Sequence, residues 1–110
     1  MSGQRVRYMR LIVFFDLPVG TSKQRREYSK FHKYLEKNGW LMMQESVYSK
    51  LAVNDKVVDG ILNKLRDNRP PEGIVQVLKV TEKQFANIEY ITGNAVENLE
   101  CDDTENLVIL

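Results

Sequence analysis

Residues 10–18 read RLIVFFDLP: five consecutive apolar side chains run directly into a carboxylate, Asp16, with Pro18 two residues on. Alternate side chains of an extended chain face opposite ways, so Leu11, Val13 and Phe15 share one face and Ile12, Phe14 and Asp16 the other. Both faces of the segment are apolar, the pattern of a strand covered on both sides. This limits the fold more than any other feature. A chain of 110 residues makes one domain, so the cover for the second face has to be found either within it or on another copy of it.

The remaining elements follow from periodicity and breakers. A strand over 8–16 leads into a turn, LPVGTSK. Thr21 and Gln24 form a candidate capping box for a helix reaching about Asn38, with Gly39 as its stop and Tyr28, Phe31 and Leu35 on one face. Strands are expected over 40–43 and 45–51, the latter alternating Val47, Ser49 and Leu51 with Ser46, Tyr48 and Lys50. Asn54 or Asp55 caps a second helix with Val58, Ile61, Leu62 and Leu65 on one face, broken by DNRPPEG. A strand over 73–80, a turn around 83–85 and candidate strands over 88–92 and 107–110 complete the chain.

The order is β-α-β-β-α-β followed by extra β, the pattern of an α+β, ferredoxin-like split βαβ sheet with helices on one face. Such a sheet leaves its other face bare, and here that face carries Ile12 and Phe14. A homodimer through the sheet face is the economical cover, and the C-terminal strands are expected to add to an edge of the same protomer or its twin. Residues 1–96 are expected to form the domain, and 97–110 an acidic C-terminal segment with a terminal strand.

Composition excludes several classes. No apolar run approaches the roughly 18 residues of a membrane-spanning helix, and the basic start, MSGQRVRYMR, is followed by no signal-peptide core, so a cytoplasmic location with no membrane association is expected. A single cysteine, Cys101, and a single histidine, His32, exclude an internal disulfide and a Cys/His metal cluster. Cys101 lies among Glu100, Asp102 and Asp103, which disfavour a thiolate. The net charge of +1 hides a division: residues 1–50 hold ten Lys/Arg against four Asp/Glu, whereas 51–110 hold six against eleven. Five of those acids crowd into 97–105, ENLECDDTE. A basic half points to a polyanionic partner.

Two features carry candidate chemistry. Asp16 ends the strand on the face assigned to the dimer. It is either a turn residue bonding local backbone, or one of a pair that a two-fold axis brings together to hold Mg²⁺ or Mn²⁺ with waters and a phosphate. On the first helix, Lys23, Arg26, Lys30, Lys33 and Lys37 span an arc of roughly 80°, opposite the apolar face. Their helix, about 24 Å long, could follow several duplex phosphates, whereas an ordinary solvated face mixes its charges. Arg25 points away from this stripe. His32, beside the apolar face, reads as a packing or surface residue, and the five tyrosines as core or edge residues. No aromatic RNA-binding strand motif, phosphate-binding Gly-rich loop, nucleophile elbow or Cys-x-x-Cys occurs.

Taken together and in order, LIVFFDLP, KQRREYSKFHKYL and QESVYSKL resemble the second CRISPR-associated protein family. VTEKQFANIEYITG is similar to members that accompany Cas9-type systems. The likeness covers about 8–92 and more loosely NLVIL. It implies a ferredoxin-like homodimer with C-terminal strands exchanged or added across the interface, and Asp16 of both protomers as the metal-binding and catalytic candidate. It also implies a role in spacer acquisition: a dimer that grips duplex DNA without sequence preference and bridges two dimers of the CRISPR integrase. Members are also described as metal-dependent endonucleases, often endoribonucleases, which is the alternative activity. Arg25 and Arg26 match the family's basic cluster, so Lys23, Arg25, Arg26, Lys30, Lys33 and Lys37 are the expected nucleic-acid contacts. Many members carry Tyr before the aspartate; Phe15 here is expected to remove a hydroxyl near the metal. If the resemblance failed, a ferredoxin-like regulatory or toxin-type RNase domain would remain.

Overall fold

The computed structural model describes residues 8–93. Its elements are β1 (Met9–Asp16), α1 (Ser22–Lys37), β2 (Leu41–Gln44), β3 (Val47–Ala52), α2 (Asp55–Asp67), β4 (Ile74–Thr81) and α3 (Glu82–Ala86). The strands form one sheet in the order β2-β3-β1-β4, antiparallel throughout, which is the expected ferredoxin-like α+β arrangement. β1 is central, as its doubly apolar sequence requires.

Local chemistry accounts for the ends of α1. The Gln24 amide donates to Thr21 Oγ1 at 3.1 Å, and the Thr21 amide donates to Gln24 Oε1 at 3.0 Å, satisfying two otherwise orphaned donors. At the other end Asn38 is the C-cap, and Gly39 takes φ +85°, a backbone turn that a side chain disfavours. Lys50 Nζ then donates to the Asn38 carbonyl at 2.6 Å, placing a cation on the negative end of the helix. On α2 the cap is Asn54, whose side chain accepts from the Val57 amide at 2.9 Å.

Both helices cover one face. Leu11, Val13 and Phe15 of β1 are buried with Phe31 and Leu35 of α1, Val58 and Leu65 of α2, and Tyr48 and Ala52 of β3. Phe15 meets Phe31 edge-to-face at 5.1 Å between centroids and stacks beside Tyr48 at 5.9 Å. The opposite face carries no described helix of comparable length. Leu41, Ser49, Ile12 and Leu78 form one row across all four strands, with Phe14, Leu51 and Ile74 around it. Ile12 and Ser49 at its centre are buried, whereas Leu41, Phe14, Leu51, Ile74 at 58% and Leu78 at 50% are exposed, so the face is apolar and largely open around a covered centre.

β4 ends at Thr81, whose side chain accepts from the Gln84 amide at 3.0 Å in a second capping box that starts α3. Arg10 fixes this short helix: Nε donates to Glu82 Oε2 at 2.8 Å, Nη2 donates to Oε1 at 3.0 Å, and the guanidinium lies 4.4 Å from the Phe85 ring centroid. One expectation is corrected here. Residues 88–92 form no strand: they leave α3 without a neighbouring strand to complete a ladder, and an unpaired strand has little to hold it. The expected strand over 107–110, the acidic segment 97–110 and Cys101 lie outside the described residues. No described helix is long and apolar enough to cross a membrane.

Candidate functional site

Asp16 occupies the last position of β1, paired in register with Ile74 of β4, exposed, on the open face. Its carboxylate makes no hydrogen bond or ion pair with a described residue, so nothing there supports the local backbone bond of a turn aspartate. What holds it in place is backbone. Leu17 turns into the core just after it, and Gly73 packs against its carbonyl. Among the described residues no group of three or more His, Cys, Asp or Glu side chains could hold a metal. One protomer therefore offers a hard cation a single free carboxylate; a second copy meeting it at the open face would supply another, which with waters is an adequate oxygen set.

Phe15 does not bear on that site as expected. It faces the helices, 5% exposed, while Asp16 faces the other way, so a hydroxyl on this ring would enter the aromatic core beside Tyr28, Phe31 and Tyr48. Strand alternation is the reason.

The stripe residues Lys23, Arg26, Lys30, Lys33 and Lys37 are all exposed on α1, with Phe31 and Leu35 buried on the opposite side. No described carboxylate lies within ion-pair distance of any of them. Arg25 is engaged differently: its Nη1 donates to the Val19 carbonyl at 3.1 Å and the Gly20 carbonyl at 3.4 Å, bracing the loop before the helix. The stripe lies on the outer surface of the helical layer and Asp16 on the uncovered side of the sheet. The fold therefore keeps the two candidate features apart within a protomer.

Sequence reasoning missed a polar chain beneath α1. The Tyr48 hydroxyl is 2.6 Å from His32 Nδ1, and His32 Nε2 is 3.1 Å from Glu36 Oε2. A carboxylate accepts only, so His32 donates through Nε2 to Glu36, and the same nitrogen also lies 3.1 Å from the Tyr48 hydroxyl. Burial pushes the Tyr48 phenol up to about 12, helped by the nearby charge of Glu36 and by Tyr28 and Glu45. This histidine is a packing residue, as expected. The spacing His32–Glu36 was the only available sequence signal; the Tyr48 partner is a tertiary contact.

A four-stranded antiparallel βαββαβ sheet with its helices α1 and α2 on one face defines a small α+β protein of ferredoxin-like fold. The family model described as CRISPR associated protein Cas2 matches residues 9–88. The chain belongs to the Cas2 family. It is 53% identical over 103 residues to "CRISPR-associated endoribonuclease Cas2" of Treponema denticola, covering 93% of this chain and 100% of that one. A Streptococcus mutans protein with the same name is 40% identical over 96 residues, covering 87% of this chain and 88% of that one. The namesake from Campylobacter jejuni is 32% identical over 103 residues, covering 94% and 72%.

Proposed function

We propose that this chain acts as a homodimeric, duplex-DNA-binding subunit of a CRISPR spacer-acquisition complex, bridging dimers of the integrase. The observation that carries the reading is the stripe of five exposed cations, none in an ion pair with a described carboxylate although Glu27 lies at its edge, set against a single carboxylate as the whole acidic complement of the metal candidate. Phosphate contacts fix a duplex in place without reading its bases, as a machine that accepts any sequence requires. The bare apolar face is the surface on which two protomers would pair, and the adaptation machinery of the cytoplasm is where such a complex would work.

The second reading is a metal-dependent endoribonuclease. It is favoured by the names of the relatives and by the free Asp16 carboxylate. Two such groups from paired protomers would hold Mg²⁺ or Mn²⁺, which when bound polarises a phosphate and acidifies a water. The residues of this chain would then bind and orient the strand.

One experiment separates the two. Spacer integration by the complex reconstituted with the integrase is compared for wild type, Asp16→Ala and Lys30→Ala/Lys33→Ala, with ribonuclease activity followed alongside. The scaffold reading expects Asp16→Ala to integrate normally and the lysine pair to lose DNA binding. Integration lost in Asp16→Ala, with dimer and DNA binding intact, overturns it. Mg²⁺-dependent RNA cleavage abolished by Asp16→Ala would establish the second.

A further inference from the structure

The α1 stripe leans toward the second helix. Lys23 lines a cavity of about 230 Å³ that it shares with Pro70 and Pro71, and Lys30 lines one of about 130 Å³ that it shares with Asp67 and Arg69. At the other end of α1, Lys64 Nζ lies 3.4 Å from Oδ1 of Asn38, the residue after Lys37. Two cations, from α2 and the residues just after it, thus stand beside the stripe at two different heights. We infer that Lys64 and Arg69 form a second row of phosphate contacts alongside the α1 stripe, and that this row makes the surface favour double-stranded over single-stranded nucleic acid. This rests on the reading of the stripe as a phosphate-binding surface, and adds its specificity.

Both side chains are exposed, and neither lies within ion-pair distance of a described carboxylate. Arg69 spends one nitrogen, Nη1, on the Arg66 carbonyl at 3.1 Å, and Lys64 one donor on Asn38, so donors remain on each. Glu27 and Asp67 line the cavity between Lys30 and Arg69, and their charge keeps a phosphate out of it. The longer Lys30 and Arg69 side chains meet a phosphate at its mouth instead. The separation of the rows follows from the fold. α1 returns along β1, and α2 returns along β3, which is antiparallel to β1, so the two helices run antiparallel on one face. Helices in contact lie about 8–10 Å apart, and the cavities between these two make that a lower bound. The grooves of a duplex are roughly 6 Å and 12 Å wide, with a row of phosphates on either side. A duplex can therefore meet both rows, whereas a single strand has one row of phosphates and meets one row at a time.

The test titrates the full chain with a DNA duplex, and with one strand of that duplex, at several salt concentrations. Lys64→Ala/Arg69→Ala is expected to weaken duplex binding several-fold at low salt, with single-strand binding nearly unchanged. The slope of log affinity against log salt for the duplex is expected to fall by about two, close to one for each lost phosphate contact. Lys79→Ala/Lys83→Ala removes the same charge from β4 and α3, and is expected to leave that slope at its wild-type value. Lys64→Arg/Arg69→Lys keeps both charges and is expected to keep the duplex preference. An unchanged duplex slope in the Lys64/Arg69 alanine pair overturns the inference. An equal loss on duplex and single strand, or the same loss in the Lys79/Lys83 pair, also overturns it. If Lys30→Ala/Lys33→Ala leaves duplex binding unchanged, the phosphate-binding reading of the stripe fails and carries this inference with it. If that pair weakens binding and the Lys64/Arg69 pair does not, this inference alone falls.

Discussion

Gly73, at φ +93°, lies so close to the end of β1 that a Cβ on it would come within 2.6 Å of the Asp16 carbonyl oxygen and 2.7 Å of Leu17 Cδ2. The backbone on both sides is held: Asp16 pairs with Ile74, and the Phe15 amide donates to the Ser46 carbonyl at 3.0 Å. The Asp16 carbonyl is backbone and cannot give way as a flexible side-chain tip would. Gly73→Ala is expected to destabilise the chain by about 2–3 kcal/mol, combining left-handed strain with a backbone clash. Denaturant unfolding measures this, and a loss below about 0.5 kcal/mol would show that the strand end can shift freely.

The buried Tyr48 phenol makes stability fall in alkali. Its folded pKa is raised to about 12, mainly by burial, above an unfolded value near 10. The folded state therefore holds its proton more tightly. The contribution is complete below about pH 10 and is lost as pH rises from there through about 12. The difference between about 10 and about 12 corresponds to on the order of 3 kcal/mol at most. Urea titrations at stepped pH should show this decline in wild type and a smaller one in Tyr48→Phe; equal slopes in both would place the effect elsewhere.

Ile74 and Leu78 leave more than half and half of their surface on the open face, an exposure that costs on the order of 1 kcal/mol each. If that face pairs two protomers, Leu78→Asp should give a folded monomer. Sedimentation together with circular dichroism checks both halves of this statement. A dimer of unchanged affinity would move the interface off the sheet.

Gly60 lies inside α2, and a Cβ there meets nothing within 4 Å. Gly60→Ala is expected to stabilise the chain by about 0.5–1 kcal/mol, through helix propensity and a less mobile unfolded chain. Thermal unfolding reads this directly, and a destabilised variant would reveal a packing role at that position.

The order of elements was legible because each carries a local signature. Thr21 and Gln24 bond each other three residues apart, Gly39 stops α1, and the doubly apolar run 11–15 could only be a central strand. Boundaries moved by a residue or two where the signals are mutual: Trp40 belongs to the turn into β2, since its amide donates to the Leu35 carbonyl at 3.0 Å, and Ser46, at φ +71°, takes the tight turn before β3. Helical spacing placed the basic stripe on the exposed side of α1. The expected strand over 88–92 did not form because a strand is defined by its neighbour, and its own residues cannot announce one.

Sequence alone determined the split βαβ order, the two-faced central strand, the capped first helix and the basic stripe along it, because these depend on residues within a few positions of one another. Only the tertiary structure decided that Phe15 turns its ring away from Asp16 into the helix-covered core, that Tyr48 reaches His32, that Arg10 ties down α3 through Glu82 and Phe85, and that Gly73 holds the end of β1. Each of these joins side chains or backbone far apart in the chain, where packing distance, not sequence spacing, sets which groups meet.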